Sequence, residues 1–134
     1  MDYRIFVIYA AEDHLFFDRL AEQARTAKLP VTFERMQAKQ PWVPLWKGQC
    51  RTRMFGSDGA IVIISKKTQQ GSGISWELEC AREAGTPTLG VHVDKFDKGA
   101  VPEGLHDAKI IDWNWPEIAS FIQSVKRTSK SSSA

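Results

Sequence analysis

Hydrophobic and polar positions change period several times along this chain. Arg4-Ile-Phe-Val-Ile-Tyr9 is a continuous run of strand formers, the pattern of a strand buried on both faces. Beyond it, Phe16, Leu20, Ala24 and Ala27 recur at helical spacing, and Pro30 closes that helix. Val31-Thr-Phe33 predicts a second strand, and residues 35 to 45, with Pro41 and Pro44, read as a loop. Trp46, Cys50 and Met54 fall at i, i+4 and i+8, one stripe of a second helix, and Gly56-Ser-Asp58 turns the chain into a strand from Gly59 to Ile64. The loop Ser65 to Ile74 leads to a third helix, with Ser75 as its expected N-cap and Gly85 at its end. Thr88 to Val93 then supplies a fourth strand. After a long connection over 94 to 107, Lys109-Ile-Ile111 makes a short fifth strand, and Ile118, Phe121, Ile122 and Val125 mark a final amphipathic helix.

Strands that alternate with helices and are apolar on both faces call for a parallel sheet covered on both sides, with right-handed crossovers. Five of them suggest a flavodoxin-like α/β three-layer sandwich of strand order 2-1-3-4-5. A length of 134 residues suits one domain, taken as 1–127. Apolar content vanishes from Lys126 onward, so 128–134 reads as a disordered tail or the stub of a linker. The net charge of +2 does not mark a dedicated nucleic-acid binder. No apolar run approaches about 18 residues, and Met1 to Arg4 lead straight into a strand, so the expectation is a chain neither secreted nor membrane-spanning. Cys50 and Cys80 lie in predicted helices without metal-ligand spacing, which favours a reduced, cytoplasmic protein.

In such a sheet the ligand crevice opens at the carboxyl ends of the strands, where the order reverses between strands 1 and 3. Strand 1 delivers Tyr9-Ala10-Ala11-Glu12-Asp13 to that edge. Strand 3 delivers Ser65-Lys66-Lys67-Thr68 and, one loop later, Ser75-Trp76-Glu77. A carboxylate in the first turn of a helix is stabilised by unpaired N–H groups and the dipole, so Glu77 is expected to be ionised at neutral pH unless burial outweighs them. That suits an electrostatic stabiliser or a nucleophile. The plainer reading is that Glu77 merely punctuates the helix start. Trp76 is likewise either a ligand contact or a core anchor, and Glu12 and Asp13 either line the cleft or start the first helix.

Several chemistries lack their residues. Neither G-x-x-x-x-G-K-[ST] nor G-x-G-x-x-G occurs. Ser65 stands where a receiver domain places its phospho-acceptor aspartate, and the acidic segment Ala10 to Asp13 would repel the phosphate of a flavin. His14, His92 and His106 are scattered over different elements, forming neither a metal set nor a Ser-His-Asp arrangement. Lys66 and Lys67 are phosphate partners or, by default, a solvated loop pair.

Two longer stretches, RIFVIYAAEDHLFFDRL and CRTRMFGSDGAIVIISKKTQQGSGISWELECAREAGTPTLGVHV, resemble the TIR-like family that includes the TIR component of the Thoeris anti-phage system. The resemblance spans roughly residues 4 to 93 and rests on an ordered set: Tyr9 to Asp13, Arg51 to Thr68, Trp76-Glu-Leu-Glu-Cys-Ala81 and Pro87 to Val91. It implies cleavage of the nicotinamide–ribose bond of NAD, by hydrolysis or with formation of a cyclic ADP-ribose signal, NAD being substrate and not a cofactor. Glu77 is the residue that matches the family's catalytic glutamate. Tyr9, Ala10 and Asp13 would line the nucleotide, Ser65 and Trp76 would flank the carboxylate, and Trp42 would fold over a base or simply pack. Many catalytic members carry a tryptophan about one helical turn before the glutamate, a place held here by Gly73. The family also implies self-association and a downstream effector protein. Its non-enzymatic members suggest the alternatives, a protein-interaction module or a nucleotide sensor.

Overall fold

The strand formers read from the sequence do assemble into one sheet, as seen in a computed structural model that describes residues 2–37, 39–105 and 107–125. His106 and the tail expected at 128–134 lie outside those residues. The strands are β1 (Tyr3–Ile8), β2 (Val31–Glu34), β3 (Gly59–Ile64), β4 (Thr88–His92) and β5 (Lys109–Asp112). All pair in parallel, in the order β2-β1-β3-β4-β5, so the fold is flavodoxin-like. Every position of the central β3 is buried, whereas the edge strands β2 and β5 remain partly exposed. This is why β3 reads as an unbroken aliphatic run while β2 does not.

Alternation along the strands sorts the core into two layers. Helices α1 (His14–Thr26) and α4 (Trp115–Ser124) cover Ile5, Val7, Ile61, Ile63, Leu89 and Val91. On the other side, α2 (Pro44–Phe55) and α3 (Ile74–Ala84) cover Phe6, Ile8, Ala60, Val62 and Ile64. Tyr9 continues the first layer, where its ring stacks on Phe17 with centroids 5.5 Å apart. Glu77 of α3 is on the second side. At the amino edge, Asp58 ties β1 to β3: its carboxylate accepts the Arg4 N–H at 2.8 Å, and its own N–H donates to the Arg4 carbonyl at 2.7 Å.

Element boundaries depart from the sequence expectation where backbone chemistry overrides pattern. Pro44 does not belong to the preceding loop but opens α2, in a first turn where no N–H is required. Nor is Ser75 the cap of α3. The helix begins at Ile74, and the N-cap is Gly73 with φ 83°, a left-handed conformation that a glycine adopts without steric cost. A 3-10 turn at Ala11–Asp13 leads directly into α1. Asn114 caps α4 by accepting the Glu117 N–H at 3.1 Å.

The connection after β4 folds back over the β3 loop at Gly99. Its φ is 78°, and a β-carbon there would lie 2.4 Å from the Ser65 carbonyl oxygen. Gly99→Ala therefore meets both backbone strain and a collision with main chain that cannot swing aside. The variant should lose roughly 1–3 kcal/mol of unfolding free energy, read as a lowered denaturant midpoint with an unchanged m-value.

Candidate functional site

Loops from β1 and β3 meet at the carboxyl edge of the sheet, and their polar groups are engaged with one another. The Ser65 hydroxyl donates to Asp13 Oδ2 at 2.6 Å and accepts the Lys67 N–H at 3.0 Å. Beside it, the Thr68 hydroxyl accepts the Ser65 N–H at 2.8 Å and donates to the Ile63 carbonyl at 3.1 Å. Ala10 is fully buried beneath the next loop; a β-carbon at Gly71 would come within 3.1 Å of the Ala10 methyl. Ala10 and Asp13, expected to line a nucleotide, and Ser65, expected to flank the carboxylate, thus form a buried latch between the two loops. Satisfied pairs of this kind specify geometry, because leaving either partner alone costs its full desolvation.

Glu77 occupies the fourth position of α3 and has no solvent exposure. Its backbone N–H is already committed to the Gly73 carbonyl at 2.9 Å. The carboxylate is met by Lys39, whose Nζ donates to Oε2 at 2.8 Å and to Oε1 at 3.1 Å. Only 5% of the Lys39 side chain is exposed. Burial lifts the Glu77 carboxyl from 4.5 to about 7, with the charge and hydrogen bonds of Lys39 pulling the other way. The exception named for that expectation, burial, is what decides here. Burial outweighs the stabilising groups, and the carboxyl titrates close to neutrality.

Lys39 also connects the two sides of the sheet. Its Nζ lies 4.9 Å from the centre of the Tyr9 ring, so the ammonium sits between an acid on the α3 side and an aromatic face on the α1 side. Tyr9 is held in turn by Arg35, which donates to the phenolic oxygen at 3.1 Å while its guanidinium rests 4.2 Å from the Phe17 ring. A hollow of about 320 Å³ opens beyond this group, lined by Tyr9, Ala11, His14, Asp18, Arg35 and Gln37. A larger groove of about 1070 Å³ runs along α3 past Leu78, Arg82 and Thr86, and Glu77 does not line it.

The tryptophans do not stand where the sequence suggests. Trp76, expected beside the carboxylate, turns its ring to α2: Nε1 donates to the Lys47 carbonyl at 3.4 Å, and the Lys47 and Arg51 cations lie 4.9 and 5.1 Å from the ring. Trp42 is 70% exposed. Trp46 is an aromatic on the acid's side of the sheet. A β-carbon at Gly73 would sit 2.9 Å from Trp46 Cη2 and 3.3 Å from Glu77 Oε2, so ring and carboxylate converge on the bare glycine. Trp46 thus fills from α2 the place left by the missing side chain at 73. Its helical stripe marked it as core only, and Lys39 and Arg35 sit in a segment without periodicity that could have singled them out.

Among the described residues, no group of three or more His, Cys, Asp or Glu could hold a metal ion, and no helix is long and apolar enough to cross a membrane. No family model matches the chain, and no curated protein matches it. Its fold is similar to that of a 3-dehydroquinate dehydratase-like protein from Bifidobacterium longum, with a TM-score of 0.54 at 13% sequence identity over 92% of this chain and 94% of that one. At that identity the likeness concerns the fold alone.

Two outcomes test the site as described. Ser65→Ala removes the donor to a buried carboxylate and should cost about 1–3 kcal/mol in denaturant unfolding, with Ser65→Thr milder. The raised carboxyl of Glu77 gives a second. The unfolded chain releases this proton first as pH rises, so stability from the protonated carboxyl is full below pH 4.5 and lost as pH climbs to about 7. Unfolding midpoints measured across that window should decline in the wild type and flatten in Glu77→Gln.

Proposed function

We propose that this chain is a TIR-like enzyme that cleaves the nicotinamide–ribose bond of NAD, with Glu77 as the residue that stabilises the developing positive charge. One observation carries the reading: a wholly buried carboxylate at the carboxyl edge of the sheet already holds a cation against the Tyr9 ring. The reaction calls for such a place. As the bond between C1′ and the pyridinium nitrogen breaks, its electron pair goes to the nitrogen, neutral nicotinamide leaves, and the ribose becomes oxocarbenium-like. A fixed carboxylate in a water-poor site lowers the energy of that cation far more than it would in bulk water. Water then bonds to C1′ and releases a proton, giving ADP-ribose; attack by a nucleophile of the substrate's own adenine would give a cyclic product instead. No acid catalyst is required, because the leaving group is neutral once it departs.

Ionised Glu77 is the working form in this scheme, so turnover should rise as pH increases through about 7. Cyclic ADP-ribose as a messenger, an anti-phage role and an effector protein downstream belong to the same proposal and rest on the family resemblance.

A second reading has an observation of its own. Trp42, just before α2, and Leu45, in its first turn, are 70% and 71% exposed, and apolar side chains displayed so close together suit a protein-docking or self-association module. Purified protein incubated with NAD, with free nicotinamide followed by chromatography, separates the two. Wild type should release nicotinamide, and Glu77→Gln should lose about 100-fold or more of that rate. Unchanged turnover in Glu77→Gln would remove the residue from its role. No release over a concentration series that includes self-associated protein would favour the docking module.

A further inference from the structure

We infer that Lys39 is an internal stand-in for the substrate's cationic ring, an autoinhibitory contact that the incoming cation must displace. The inference rests on the proposed role of Glu77 for the identity of that ring, but the exchange itself stands on geometry. One ammonium satisfies both carboxylate oxygens, at 2.8 and 3.1 Å, and covers the Tyr9 face at 4.9 Å. Carboxylate on one side and aromatic ring on the other make a receptor for a flat cation, and Lys39 fills it.

The segment carrying Lys39 is built to let go there. It is anchored before the lysine, where Met36 is buried and the Arg35 carbonyl accepts from Arg53 Nη1 at 2.7 Å, and again after it, where Trp46 enters the core. Between those anchors Gln37, Gln40 and Trp42 are exposed, and among the described residues the Lys39 side chain and Val43 turn inward, Val43 onto the apolar core and Lys39 onto the acid. Release returns a strongly hydrated primary ammonium to water. A pyridinium spreads its charge over a ring, loses less hydration on entry and stacks better on Tyr9, so the exchange runs toward the substrate. Neutral ligands gain nothing from it, because they would leave Glu77 without a counter-ion.

The test uses 1-methylnicotinamide, which carries the pyridinium charge without a ribose bond to break, and neutral nicotinamide as its control. Calorimetric titrations are made at alkaline pH, where the carboxylate is ionised. Lys39→Met should bind the cation about tenfold or more tightly than wild type, with no gain for nicotinamide and no gain in the double variant with Glu77→Gln. In the wild type, Lys39 should resist acetylation by an amine reagent and become labelled once 1-methylnicotinamide is added, as read by peptide mass spectrometry. This second measurement decides the matter alone if Lys39→Met does not fold. Equal affinity in both proteins, an equal gain for the neutral ring, or Lys39 labelling indifferent to the ligand would overturn the inference. Cation exchange without any nicotinamide release from NAD would leave it standing and sink the cleavage reading. Release without exchange would do the reverse.

Discussion

A carboxylate deep in a protein needs a counter-charge, and in this fold the counter-charge has to come over the top of the sheet. Glu77 is wholly buried on α3, which with α2 covers one apolar layer of the core, and the Trp46 ring of that layer converges with its carboxylate on Gly73. Stripping water from an unpaired carboxylate there would cost several kcal/mol. The chain answers with a lysine from the irregular segment between β2 and α2, which crosses the carboxyl edge to reach the acid. The near-neutral titration of the acid comes from its burial, which the pairing with Lys39 only partly offsets.

The two halves of the cleft are built on different principles. On the β1 and β3 side, Asp13, Ser65 and Thr68 exchange short hydrogen bonds with each other and with main chain, and Gly71 lies against Ala10. No part of that latch can move without exposing an unsatisfied buried group. On the β2 and α2 side, a long flexible lysine side chain reaches the acid from a stretch whose neighbours Gln37, Gln40 and Trp42 are exposed. Under the proposed function, substrate entry would disturb the second rim and leave the first in place.

What could be read in advance follows from where the information resides. The strands were legible because burial on both faces leaves continuous apolar runs, and Ala60 to Ile64 admits little else. The order of the sheet followed from the alternation of elements. Glu77 was visible through its place in the Trp76-Glu77-Leu78 stretch. Lys39 was not, since a lysine in an aperiodic, proline-containing loop looks like any solvated one until the tertiary fold brings an acid within reach. Ser75 failed as a cap because the left-handed Gly73 already starts the helix at Ile74, and Trp76 turns its ring to α2 instead of the acid because the adjacent position along a helix points about 100° away. Asp13 and Ser65 were correctly placed at one edge, but being brought together, they bonded to each other.

The contact between Trp46 and Gly73 has a consequence for how such a chain can diverge. An aromatic ring beside the acid can be supplied by position 73 or by position 46, and each solution forbids the other: a bulky residue at 73 would overlap the indole from α2, while shrinking 46 by itself would open a void beside a buried charge. Passage between the two arrangements requires paired changes, with a less stable intermediate in either order. Homologues should accordingly split into two lineages at these positions, with few sequences between them.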